Sequence, residues 1–525
     1  MEFYSLKFII FIFFWLFLYY GSQRILKGKR WMILLAASLS FYAIVEIRGA
    51  VFLLATAGST WLSSRVLDRL KKEQRARNQS CRDRSEKMKI KSCFVKRRRA
   101  VLWGCLILNF GMLALLKYTG GMNLPGSSLW SRLAVPMGIS FYTFQSVSYL
   151  ADVYNTKYDS ESNFGKYFLF VSWFPQLLEG PINRYDAMSH SLFQDHDWDS
   201  QRAYEAFLLI LFGLFKKYAV AEQLAPLISQ MFDNQNAEIP GSVVVFGILL
   251  YSAQQYADFS GGIDIVIGVS KLFGVTMASN FRQPYFATSL GDFWRRWHIS
   301  LGAWMRDYVF YPIALLKSMQ KLGKWLTKHI SGKFGKHLGR TVPACIANLI
   351  VFLLVGIWHG AEEHYLAWGL YNGVVIALSD LMAPAWKGAA ERIPVRISGS
   401  MAHLMRIVRT FLIVNIGWYF DRISDREYRR ICFHNSLFSF RLYDFKATLY
   451  SYNLDYVMKP VVIAAVGVLI ILAISIMREK QIDVKGKVMC LPAAAQSFLL
   501  ILVLMMILFA FVFTAPSGGF LYAQF

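Results

Sequence analysis

The sequence predicts an all-α polytopic membrane protein of about 11–13 transmembrane or re-entrant helices, the count set by the roughly 20 apolar residues that one helical crossing needs. Three observations lead there. Apolar residues make up 55% of the 525 positions and charged residues only 17%, against roughly 25% charged in soluble domains. Long, nearly charge-free runs recur from one end of the chain to the other. The net charge of +24 is concentrated between those runs.

The candidate spans, in order, are 8–22, 31–47, 50–64, 101–119, 133–151, 163–178, 203–225, 241–257, 342–358, 364–383, 404–420, 458–477 and 491–515. The first follows Lys7 and is trailed by Arg24, Lys27, Lys29 and Arg30 rather than by a small-residue cleavage site. It reads as a retained helix, not a signal peptide. Residues 65–99 hold fifteen Lys or Arg against four acidic residues, and residues 281–340 hold eleven against two. Basic segments between spans mark the cytoplasmic side and attract anionic headgroups. A cytoplasmic loop at 23–30 then puts the N-terminus outside, and the basic loop at 65–100 falls inside after three crossings. Residues 281–340 and 478–487 are expected inside too, with 359–363 at an outer helix end. Asp195, Asp197 and Asp199 hint at an external loop. No nucleic-acid recognition module accompanies the positive charge, so membrane lipid is the expected partner and nucleic acid is not.

Six cysteines, at 81, 93, 105, 345, 432 and 490, have no ligand-type spacing. Neither a disulfide framework nor a metal site is expected. No long linker divides the chain, which reads as a single integral domain over 1–525.

Residues 251–268, YSAQQYADFSGGIDIVIG, look like a polar, broken helix, a feature that lines cavities in membranes. Residues 292–313 alternate aromatic and basic groups. At helical spacing Trp294 and His298 share one face. The segment suits the membrane interface, where Trp and Tyr sit at headgroup level. A plain interfacial anchor explains it equally well.

Polar groups inside apolar surroundings carry the functional signal. His359 ends the charge-free stretch TVPACIANLIVFLLVGIW, bracketed with Trp358 by Gly356 and Gly360. A neutral imidazole in a low-dielectric cleft accepts a hydroxyl proton near pH 7. The competing reading is a hydrogen-bonded core histidine. His298, within WRRWHIS, is the second candidate: it orients substrate, shares a proton relay or simply locks its segment. His364 is a wetter, weaker candidate beside Glu362 and Glu363. Asn348, Asn415, Gln254, Gln255, Asp258 and Asp264 read as helix-packing glue, or as the polar groups of a transporter or channel. There is no GxSxG elbow and no Gly-rich phosphate loop. Arg282, Arg295 and Arg296 are placed to receive donor phosphates or an acidic carrier. The indole N–H of Trp358 can face a developing oxyanion.

Four stretches, VPMGISFYTFQSVSYLADVY (135–154), FPQLLEGPINRY (174–185), NFRQPYFATSLGDFWRRWHISLGAWMRDYVFYP (280–312) and GIWHGAEEHYLAWGLYNG (356–373), resemble in content and order the membrane-bound O-acyltransferase family. The likeness is to its bacterial branch, which holds alginate O-acetyltransferases and teichoic acid D-alanyl transfer proteins. It covers about residues 1–383, with 384–525 as additional C-terminal spans. The resemblance implies helices around a thinned central funnel, where a cytoplasmic acyl donor and an external acceptor meet. It implies His359 of the WHG motif as the catalytic residue, with His298 of WRRWH beside it. WRRWH and the length favour the acetyltransferase side. The implied co-substrate is acetyl-CoA or a phosphopantetheine-linked acyl group, with no permanently bound cofactor. The implied acceptor is an exported polymer or an extracellular acyltransferase partner, at the bacterial cell membrane. D-alanyl transfer from an acyl carrier protein toward teichoic acid is the alternative.

Overall fold

A computed structural model describes residues 5–118, 135–236, 238–392, 398–451 and 454–513, and these are almost entirely helical. Among them, six stretches are long and apolar enough to cross a membrane: Leu6–Arg24, Trp31–Ser80, Arg84–Tyr118, Gly332–His359, Pro460–Glu479 and Ala493–Val512. Trp31–Ser80 itself holds two helices, Trp31–Glu46 and Ala50–Ser80. The chain is a multi-pass, all-α membrane protein. Of the remaining expected spans, 163–178 is broken into Phe164–Ser172 and Phe174–Glu179. Pro175 sits in the first turn of the second piece, where its missing N–H costs nothing.

Two sequence expectations about local structure are corrected. The basic segment 65–100 is not a loop. Helix Ala50–Ser80 runs on through it and helix Arg84–Tyr118 begins within it. Lys and Arg are good helix formers, and Arg77 pairs with Glu73 one turn away at 2.6 Å. Residues 251–268 are not broken either: helix Gly241–Leu272 is continuous through them. Gly261 is there for close packing, since a Cβ would stand 2.8 Å from the carbonyl oxygen of Gly213.

By backbone contacts the chain forms two compact units, one of residues 1–210 with 265–278 and one of 211–264 with 279–525. The first is centred on helix Ile139–Tyr154, buried at every position from Ile139 to Leu150. One of its amides is tied into a buried cluster: Gln145 Nε2 donates to Gln176 Oε1 at 2.9 Å, and Asn183 Nδ2 donates to the same oxygen at 3.1 Å. In the same unit Arg30 pairs with Asp195 at 3.5 Å and Asp197 at 3.3 Å, while Gln23 donates to Asp197 at 2.7 Å. The acidic loop therefore lies on the same side as residues 23–30, not opposite. Its carboxylates neutralise an arginine and say nothing of an external face.

The second unit buries two adjacent lysines on a π-helical stretch, Lys216–Ala221. Lys217 Nζ lies 2.6 Å from Asp258 and 2.7 Å from Glu222, and Lys216 Nζ lies 2.7 Å from Asp264. Asp258 and Asp264 thus serve to bind helix Gly241–Leu272 to this stretch. Asn415 Oδ1 accepts from Ser252 at 2.7 Å in the same manner.

Candidate active site

Helix Gly332–His359 carries His359 at its last position, with Gly360 as its cap. The backbone of Gly360 is extended (φ −177°), so the glycine is not there for its conformational freedom. A Cβ at 360 would lie 2.5 Å from the Tyr365 ring, and one at Gly356 would lie 2.5 Å from the Tyr365 carbonyl. The two glycines let helix Glu363–Leu381 close against the end of the first helix. Tyr365 and Trp368 then wall His359, with ring centroids 5.9 Å and 5.2 Å from the imidazole.

His298 arrives by a different route. Phe281 and Trp297 form an antiparallel β-bridge, with Arg282 N donating to Arg296 O and Ile299 N donating to Asn280 O, each at 3.0 Å. Between the paired segments lies helix Leu290–Arg296, capped by Ser289, whose Oγ accepts from Asp292 N at 3.1 Å. A second short helix, Ile299–Met305, begins directly after His298. His298 has φ +47° and ψ +52°, a left-handed conformation of the kind that costs about 1–3 kcal/mol and concentrates at functional sites. The expectation that Trp294 and His298 share one helical face is therefore corrected. The bridge pulls Trp297 out of the helix, and His298 turns the chain through a corner. Trp294 instead anchors the first helix, donating from Nε1 to Asn372 Oδ1 at 3.1 Å.

Both histidines line one cavity of about 880 Å³. Its wall includes Arg282, Arg295, Arg306, Trp294, Asn348 and Trp368. His359 and His298 are 6% and 2% exposed. Trp358 contacts both imidazoles, at 4.8 Å from His359 and 6.3 Å from His298, and is not itself on the cavity wall. Phe259 meets His298 edge-on at 4.9 Å. His298 lies outside the six candidate spans, and burial pushes its imidazole well down, to about 3. It is neutral at any physiological pH.

The arginines separate into two kinds. Arg282 and Arg295 line the cavity, and Arg295 is largely exposed with a loose 3.4 Å contact to Asp292. Arg296 is half-buried and committed, at 3.1 Å to Asp292 and 2.9 Å to Glu479. His364 is held by Glu362 at 2.9 Å and by the Phe420 carbonyl at 3.0 Å, and does not reach the cavity. Asn348, read from sequence as packing glue, is on the cavity wall, and its Nδ2 is buried without a hydrogen-bond partner among the described residues. Sequence reasoning did not single out Arg306, Trp368 or Asn280. All three lie inside the four quoted stretches, and only the fold distinguishes them from their neighbours.

Comparison with known proteins adds a separate line of support. Residues 125–326 match the sequence model of MBOAT, the membrane-bound O-acyltransferase family. The match takes in His298 and the three arginines 282, 295 and 296, and ends before His359. The chain is 32% identical over 298 residues to a probable alginate O-acetylase of Pseudomonas aeruginosa, covering 57% of this chain and 50% of that protein. It is 30% identical over 359 residues to the peptidoglycan O-acetyltransferase of Helicobacter pylori, covering 61% and 62%. It is 26% identical over 289 residues to the teichoic acid D-alanyltransferase of Bacillus subtilis, covering 54% and 67%. The chain thus spans about half the length of the first of these relatives and under two thirds of the second.

Proposed function

We propose that this chain is a membrane-bound O-acyltransferase, as its matches to that family support, and that it moves an acyl group, acetyl before others, from a cytoplasmic thioester to hydroxyls of an exported polysaccharide or of a partner protein outside. It works in the bacterial cell membrane as one integral domain. The observation that carries this is the meeting of His359 and His298, distant in sequence, on one cavity walled by tryptophan and arginine.

A hydroxyl is a poor nucleophile at neutral pH. His359 takes its proton as the oxygen attacks the thioester carbonyl. The C–O bond forms, the tetrahedral oxyanion collapses, the C–S bond breaks, and the thiolate recovers the proton from the imidazolium. Thioester and alcohol become ester and thiol with no net proton released. The oxyanion needs hydrogen-bond donors in a water-poor site. The amide of Asn348, on the cavity wall, is one such donor, and the indole N–H of Trp358, whose ring contacts both imidazoles, is a second. Arg282 and Arg295 offer fixed positive charge to donor phosphates, or to an acidic carrier protein. Arg296 holds the WRRWH segment to Glu479.

The test uses purified protein in vesicles with labelled acetyl-CoA and, separately, a D-alanyl-loaded carrier. Acetyl label appearing on a polysaccharide or protein hydroxyl, and its loss in His359→Ala with normal membrane accumulation, is the expected result. Equal transfer by His359→Ala would remove the central role of that residue. Transfer of D-alanine alone would move the protein to the teichoic acid side. Flux of a solute without any acyl donor would make it a transporter.

A further inference from the structure

Asn280 is 1% exposed and lies beside His298. Its Oδ1 accepts from Ser300 N at 3.0 Å and from Ser300 Oγ at 2.8 Å, and lies 3.3 Å from His298 Nδ1. A backbone N–H can only donate, so the Ser300 contact fixes which end of the Asn280 amide faces the histidine. That end is an oxygen, which can only accept. His298 Nδ1 must therefore carry the hydrogen.

The geometry assigns Asn280 as a positioning residue: it holds His298, a residue that lines the cavity, in the Nδ1–H tautomer, which leaves Nε2 as a lone-pair acceptor. This is the logic by which one ring nitrogen's hydrogen bond sets the role of the other. A neutral His298 in this form cannot donate from Nε2 to a developing oxyanion. It accepts a hydrogen bond from a donor group of the substrate, or a proton shared with His359. The left-handed corner at 298 supports the assignment. That strain is offset by the same interactions, Ile299 N to Asn280 O and Ser300 to Asn280 Oδ1, that present the ring to Asn280. The role of His298 in turnover rests on the acyl-transfer reading above. The tautomer does not.

Two measurements decide it. The first is nitrogen NMR on the full chain labelled with ¹⁵N-histidine, with His298→Gln identifying the signal. A protonated Nδ1 and a bare Nε2 are expected, and Asn280→Leu shifts the balance toward Nε2–H. Nε2–H in the parent protein, or an unchanged tautomer in Asn280→Leu, overturns the proposal. The second follows the same His298 signal through a pH titration. Asn280→Asp keeps every accepted hydrogen bond but adds a negative charge that favours imidazolium, so the imidazolium appears at a pH higher by about one unit or more. Ser300→Ala removes a purely structural donor and leaves the titration in place. An unmoved titration in Asn280→Asp, or an equal shift in Ser300→Ala, reduces Asn280 to a packing residue. A parent protein that transfers no acyl group defeats the proposed function, while the NMR result still decides the tautomer.

Discussion

At the scale of single residues, the site depends on absent atoms as much as on present ones. His359 is flanked by a glycine whose missing Cβ makes room for Tyr365, the ring that stacks on the imidazole. Gly360→Ala pushes that ring aside by forcing a 2.5 Å contact. The expected result is a fall in acyl-transfer rate of about ten-fold or more, because misplacement of a catalytic group by about 1 Å costs on the order of 100-fold. Gly356→Ala meets backbone rather than a ring, so it acts on stability. Overpacking of this kind costs about 1–3 kcal/mol, read as a lower unfolding temperature in detergent. Gly104→Ala, with nothing within 4 Å of the new Cβ, is the control and should change neither. Equal rates for Gly360→Ala and Gly104→Ala would show that Tyr365 does not position His359.

At the scale of elements, the strongest constraint is the buried charge that fastens helix Gly241–Leu272 to the π-helical stretch Lys216–Ala221. Lys217 sits between Asp258 and Glu222, all three nearly inaccessible. Lys217→Met strands carboxylates that lose this cation, and breaking such a pair costs about 3–5 kcal/mol. Adding Glu222→Gln and Asp258→Asn to that variant should recover much of the loss, since an uncharged replacement of the whole cluster carries no desolvation penalty. A triple variant no more stable than Lys217→Met, by thermal unfolding, would mean that the charges themselves are not what holds these elements. The same cluster shows why the sequence was legible only in part. Long apolar runs such as 493–513 announce themselves, because hydrophobic composition is local. The lysines 216 and 217 lie inside the candidate span 203–225. Two of their three acidic partners, Asp258 and Asp264, are more than forty residues away, which no window sees. The segment 251–268 looked broken for the same reason: its polar residues were read against lipid, when they face other protein. The proposed catalytic pair was legible as residues but not as geometry. His359 stands out at the end of a charge-free helix, whereas the corner at His298 is set by a bridge between Phe281 and Trp297 that helical periodicity hides.

At the scale of the whole molecule, the claim to test is orientation, because a transferase fed by a cytoplasmic thioester must present its basic segments to the cytoplasm. The charge pattern puts 65–100 and 478–487 inside. Cys93 is exposed within the first of these, and Cys490 is exposed just beyond the end of the second. Variants that retain one or the other as the sole cysteine should resist a membrane-impermeant maleimide in intact spheroplasts and react with it in inverted vesicles. A third position separates charge counting from structure. The acidic loop at 194–199 looks external by its aspartates, yet it is bound through Asp195 and Asp197 to Arg30 and Gln23. The basic turn at 23–30 is expected inside, so a cysteine placed at Asp199 should label from the cytoplasmic side, together with Cys93. Labelling of position 199 from outside while Cys93 labels from inside would break the link between that loop and the 23–30 turn. Labelling of Cys93 or Cys490 in intact spheroplasts would invert the orientation, and with it the side from which an acyl donor reaches His359.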